Sequence, residues 1–177
     1  MRKLLNEELG RMSVGQYREA EKSPFVIVLD NVRSGSNVGS VFRTADAFRA
    51  ERIFLCGITA KPPHRDINKT ALGATESVVW DYYPETIEAV NRLKAEGYTI
   101  IAVEQAEGSV KLQNFPFGRG ERYVFVFGHE VHGVDQQVID LCDLCLEIPQ
   151  FGTKHSFNIA VSAGLVLWEL FRRTMAK

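Results

Sequence analysis

At 177 residues the chain has the size of one domain, and its 45% hydrophobic and 24% charged residues are ordinary for a soluble globular protein. Fourteen glycines and six prolines are too few for a disordered or fibrous chain. With 21 lysines and arginines against 22 acids the formal net charge is -1, which excludes a surface coated in basic charge but leaves room for a local basic patch.

The first two dozen residues are polar and read as short helical pieces, an N-terminal extension over 1–24 before a domain over 25–177. Phe25-Val-Ile-Val-Leu-Asp30 is apolar almost throughout, as expected of a strand covered on both faces. A glycine-punctuated turn over Gly35 to Gly39 precedes a helix to about Ala47, with Val38, Val41, Phe42 and Ala45 at helical spacing. Strands are predicted over Ile53–Cys56 and Ser77–Tyr82, then a helix opened by Pro84 and closed by Gly97. Thr99–Val103, Tyr123–Phe127 and Leu144–Ile148 are further strands, with Asp135 capping a short helix between the last two. Ser156 is expected to cap a final helix running to about Thr174. Strands alternating with helices make the fold class α/β, a mainly parallel sheet with helices on both faces. In such sheets ligands sit at the carboxyl ends of the strands, so the loops after Asp30, Val103, Phe127 and Ile148 are the ones to watch.

Three cysteines, Cys56, Cys142 and Cys145, do not suggest a disulfide framework and point to a reducing, cytoplasmic setting. The N-terminus turns acidic where a signal peptide needs an apolar run, and the longest apolar stretch is too short to span a membrane. Cys142-x-x-Cys145 lies at a strand entrance and reads as ordinary thiols, because a redox pair belongs at a helix start.

Three constellations can carry chemistry. Ser34-Gly-Ser-Asn37-Val-Gly39-Ser-Val-Phe-Arg43 leaves free N–H groups that favour a phosphate, and Arg43 can hold phosphate oxygens; the plainer alternative pairs Arg43 with Asp46 on the surface. The segment is neither a P-loop nor a dinucleotide fingerprint, since the lysine and the ribose-binding acid are missing. Phe127-Gly128-His-Glu130-Val-His-Gly133 follows a strand and puts a carboxylate at a loop tip, where it either meets a ligand or caps a helix. His129 and His132 have no third ligand at suitable spacing, so no metal is expected. Ile148-Pro149 leads through Lys154, His155 and Ser156 to Phe157 and Asn158, an amide expected within the apolar face of the last helix and in need of partners. Lys61, His64, Arg65 and Lys69 form the densest cationic stretch, in a proline-rich loop.

Taken in order, Asn37-x-Gly39-x-x-x-Arg43, Phe127-Gly-x-Glu130-x-x-Gly133 and Ile148-Pro-x-x-Gly152-x-x-x-Ser156-Phe-Asn158 resemble the three motifs of the SpoU (TrmH-like) branch of the SPOUT RNA methyltransferases. The resemblance spans about Phe25 to Phe171 and departs at Phe157, where leucine is commoner. It implies a C-terminal deep trefoil knot, a homodimer with the active site near its interface, and methyl transfer from S-adenosylmethionine to a ribose 2′-hydroxyl of RNA. It further implies catalytic roles for Arg43, Asn37, Glu130, Ser156 and Asn158, with Arg43 either the base or the group that binds phosphate and the developing alkoxide. Cofactor contacts are implied for Val103, Glu104, Gly128, Gly133, Ile148, Pro149 and Phe157. Lys61, His64, Arg65, Lys69 and Lys154 are expected to contact RNA, tRNA before rRNA, with no DNA or membrane partner. The small residues Ala160, Ala163 and Gly164 and the large Leu167, Trp168 and Phe171 are the expected dimer surface. The rivals are a catalytically dead RNA-binding module on this fold and a nucleotide-dependent oxidoreductase. With only two dozen residues ahead of the core, RNA is expected to be read by the domain's own loops.

Overall fold

Phe25, Ile27 and Leu29 face one side of the sheet and Val26 and Val28 the other, and all five are at most 1% exposed. This double burial is why the strand carries no polar alternation. In the computed structural model, which describes residues 1–174, it extends over Ser23–Asp30 (β1). Ala50–Cys56 (β2), Trp80–Tyr83 (β3), Thr99–Val103 (β4), Val110–Lys111 (β5), Tyr123–Phe127 (β6) and Leu144–Glu147 (β7) complete a seven-stranded sheet in the order β3-β2-β1-β6-β4-β7-β5. Every pairing is parallel. The last three residues of the domain expected over 25–177 lie outside the described residues.

The helices are Val14–Glu19 (α1), Gly35–Ala47 (α2), Arg65–Ala71 (α3), Ala74–Ser77 (α4), Thr86–Ala95 (α5), Gln136–Ile139 (α6) and Ile159–Thr174 (α7). Helices α2, α3 and α7 cover the face that carries Phe25, Tyr123, Phe125 and Phe127. Helices α5 and α6 cover the other, where valines and Ile100 leave a flatter surface. Tyr17 of α1 enters the first of these cores, so the N-terminal extension is packed against the domain. No described helix is long and apolar enough to cross a membrane.

Four expectations need correction. The segment Gly35 to Gly39 is the first turn of α2, capped by the Ser34 side chain, which accepts from the Asn37 N–H. Ser77 ends a short helix, and the strand there begins at Trp80. The proline-rich loop with its cations ends in α3, whose N-terminus is capped by His64. Ser156 does not cap α7; Asn158 does, its Oδ1 accepting from the Ala160 N–H at 2.9 Å. Asn158 is therefore exposed ahead of the helix, not buried in its apolar face.

Candidate active site

Because β1 and β6 lie side by side while the chain winds outward in both directions, the ends of β6, β4 and β7 open onto one crevice. A cavity of about 700 Å³ lies there. Its walls come from the ends of β4 and β7 and from the loops after β4, β6 and β7. Val103, Glu104, Gly128, Gly133, Ile148 and Phe157 all line it, as do Glu130, Ser156 and Asn158. Pro149 does not, although its neighbours Ile148 and Gln150 do.

A hydrogen-bonded chain across the rim joins the three motifs. The Glu130 carboxylate accepts from the backbone N–H groups of Arg33 and Ser34, both at 3.0 Å, and from Asn37 Nδ2 at 2.9 Å. Asn37 Oδ1 in turn accepts from Asn158 Nδ2 at 3.0 Å. A carboxylate thus occupies the N-terminus of α2, where the glycine turn alone suggests a phosphate. Burial pushes the Glu130 carboxyl up, but the bonds from Arg33, Asn37 and Ser34 outweigh it and hold the group below its ordinary 4.5. The orientation of Asn37 is set by this chain, since the amide has its donor and acceptor both engaged.

The two glycines after β6 are needed for backbone contact. A Cβ on Gly128 would fall 2.1 Å from the Val134 nitrogen, so the turn closes on itself there. Gly133 has φ of 69° and lies under Glu104, whose Oε2 accepts from the Val134 N–H at 3.1 Å. Across the cavity mouth Gln105 Nε2 donates to the His155 carbonyl at 2.6 Å. Gln105 is missed by sequence reasoning, because one polar residue after a strand carries no pattern. So is Asp30, a 1%-exposed carboxylate that accepts from Thr86 Oγ1 at 2.6 Å and from the Asp135 N–H at 2.9 Å, tying the end of β1 to α5 and α6. Its position at a strand end was the available signal.

Arg43 is not brought to this cavity. Six residues beyond Asn37 on α2, it lies about 9 Å further along the axis and on another side of the helix. It lines a second cavity, of about 540 Å³, which shares no residue with the first. No ion pair joins it to Asp46, which instead accepts from Ser77 Oγ at 2.5 Å. Of the cationic stretch, Lys61 lies 3.7 Å over the Tyr82 ring and His64 caps α3, whereas Arg65 and Lys69 are exposed; Lys154 is exposed beside the first cavity. His129 Nδ1 accepts from the Val131 N–H, and no group of three metal-ligating side chains occurs among the described residues. Burial pushes the Cys142 thiol up to about 12 and raises Cys145, the opposite of a reactive pair.

The chain matches the model of the SpoU rRNA Methylase family over residues 24–168. It is 30% identical over 155 residues to the 23S rRNA (guanosine-2'-O-)-methyltransferase RlmB of Neisseria meningitidis, covering 87% of this chain and 60% of that protein. A tRNA (guanosine(18)-2'-O)-methyltransferase of Borreliella burgdorferi is 27% identical over 82% of this chain and 65% of its own length. The chain thus spans less than two thirds of these relatives. Among solved structures, the AdoMet-bound rRNA methyltransferase of Sinorhizobium meliloti superposes with a TM-score of 0.81 at 26% identity, over 90% of this chain and 61% of that one. The TrmH/SpoU tRNA modifying enzyme of A. aeolicus superposes at 0.80 with 22% identity, over 90% and 81%, and attests the fold. The three motifs meet in one hydrogen-bonded rim, the sheet is shared and the family match covers most of the chain: this protein belongs to the SpoU rRNA Methylase family.

Proposed function

We propose that the chain catalyses methyl transfer from S-adenosylmethionine to a ribose 2′-hydroxyl of RNA, tRNA or rRNA. The observation that carries this reading is the Glu130–Asn37–Asn158 chain on the rim of the cavity at the strand ends. The residues present suit the cofactor: the cavity has the size of a cofactor site, and Glu104, Ser156 and backbone groups around Gly128 and Ile148 line it. When bound, S-adenosylmethionine supplies a methyl group already activated by its sulfonium. The chain's own work is to align the acceptor and to help remove its proton. Asn37 and Asn158 hold the loops in register, and Glu130 fixes the start of α2 on which Arg43 is carried.

Arg43 binds the phosphate beside the acceptor and stabilises the developing alkoxide, a role suited to the planar, cationic fork of a guanidinium. Because it faces away from its own cavity, the reading includes a homodimer in which a second copy completes the site. Val161, Leu165 and Trp168, 49%, 39% and 54% exposed on one side of α7, support it. Ala163 and Leu167, expected in that surface, are buried against their own sheet. Arg65, Lys69 and Lys154 are proposed RNA contacts. The reading also includes a trefoil knot, which the strand order supports: β7 lies between β4 and β5, so the 104–109 connection has to pass from one side of β7 to the other. A cytoplasmic setting fits the three free thiols.

The test is a transfer assay with labelled S-adenosylmethionine and bulk tRNA or rRNA, with the product mapped for 2′-O-methyl groups. Arg43→Ala is expected to lose methyl transfer by at least about a hundredfold while binding the cofactor as before. Near wild-type turnover at saturating RNA would overturn the role of Arg43.

A further inference from the structure

The second cavity lies between the N-terminal segment, the far end of α2 and the α3–α4 junction. Arg11, Arg43 and Arg49 line it, and none of their guanidiniums makes a hydrogen bond or ion pair among the described residues. That sets them apart from Arg52, Arg92, Arg122 and Arg172, each of which is paired with a carboxylate. Two acids, Asp46, which accepts from the Ser77 hydroxyl, and Glu76, also line the cavity, so the cations stay in excess. Three unpaired cations in one concave site form a locus for a polyanion. Tyr17, only 5% exposed, lines the same cavity, and its buried hydroxyl has no hydrogen-bond partner among the described residues.

The wall is built and held. Arg18 donates to the Glu76 carbonyl through Nε at 3.2 Å and Nη2 at 2.7 Å, clamping α1 against α4. Ser13 caps α1, with its N–H received by Gln16 Oε1. The N-terminal segment is thus part of a shaped cleft whose other wall carries Arg43.

We infer that this cleft seats the RNA backbone next to the acceptor nucleotide, with Arg11 and Arg49 holding phosphates that flank the one bound by Arg43. The inference rests on the methyl-transfer reading above and adds to it the N-terminal segment as an RNA-binding element. The cleft takes phosphodiester, not bases: its three arginines outnumber its two acids, and its single aromatic ring, Tyr17, is buried in the core and offers no stacking face. It therefore favours chain geometry over sequence, and leaves the choice of nucleotide to the loops around the first cavity.

The test compares the full-length protein with its Arg11→Gln/Arg49→Gln variant, using bulk tRNA as the probe. RNA affinity is expected to fall about tenfold at moderate salt. The slope of log affinity against log salt should flatten by about 1.4, two contacts at about 0.7 each for a single strand. KM for RNA should rise with kcat little changed, while cofactor affinity by calorimetry and the melting temperature stay at wild-type values. If the wild-type protein methylates RNA and the variant keeps its affinity and salt slope, the cleft assignment is overturned and the methyl-transfer reading stands. If the wild-type protein neither binds nor methylates RNA, both are overturned. A variant that loses cofactor binding along with RNA would show that the two arginines act on the fold, which also overturns the assignment.

Discussion

Glu130 shows how much one side chain can organise. Its two oxygens receive two backbone N–H groups at the start of α2 and the amide of Asn37, bonds that a glutamine cannot reproduce because its NH2 would face N–H donors. Glu130→Gln is expected to cost about 1 kcal/mol, the value for charge-assisted bonds discounted for an exposed site. Because the folded carboxyl lies below its ordinary 4.5, the wild-type increment is present above pH 4.5 and is lost as pH falls through the depressed folded value. Melting temperatures of the two proteins should therefore differ at neutral pH and converge in acid; a constant gap would show that the carboxylate is not the source. In the sequence Glu130 reads as either a ligand contact or a helix cap, and the structure makes it the cap of a helix some ninety residues earlier. That pairing carries no local pattern.

At the scale of elements, Gly39 is the instructive case. In the sequence it reads as part of a phosphate-binding turn, but it lies inside α2 and lets α3 approach to backbone contact. A Cβ there would fall 2.2 Å from Thr70 Oγ1 and 2.3 Å from the Ile67 carbonyl oxygen. The threonine can rotate, but the carbonyl belongs to the α3 backbone and cannot. Gly39→Ala is expected to destabilise by about 2 kcal/mol through forced separation of the two helices, measurable by urea denaturation. An unchanged midpoint would mean that α3 shifts freely on α2. The same packing explains why α3 reads as a loop in the sequence: seven residues with three charged side chains have too short an apolar stripe to announce a helix, and only Ile67 and Ala71 are buried. Replacing Lys61, which lies over the Tyr82 ring, together with Arg65 and Lys69 thus touches structure as well as charge.

For the whole molecule, the α7 face is where the proposed assembly and the proposed activity meet. Val161, Leu165 and Trp168 follow one another at helical spacing and stay exposed, with Trp168 stacked on Phe171 at 5.8 Å. Leu165→Glu/Trp168→Glu is expected to give a monomer by sedimentation velocity and to abolish methyl transfer. Its melting temperature should drop only modestly, since neither side chain belongs to the core. An active monomer would remove the shared site from the reading.

By itself the sequence determined which segments are buried strands, the α/β class and the three loops that line or rim the site. Those are properties of a few consecutive residues: apolar runs, alternation, and glycines or caps at fixed offsets. Only the tertiary structure decided that Asn37 bonds to residues 93 and 121 positions away, that Asn158 caps a helix it was expected to enter, and that Arg43 turns toward a different cavity. A parallel sheet in the order β3-β2-β1-β6-β4-β7-β5 joins strand ends that are distant in the chain. Contacts between such ends are fixed by strand order and helix rotation, which no local periodicity encodes.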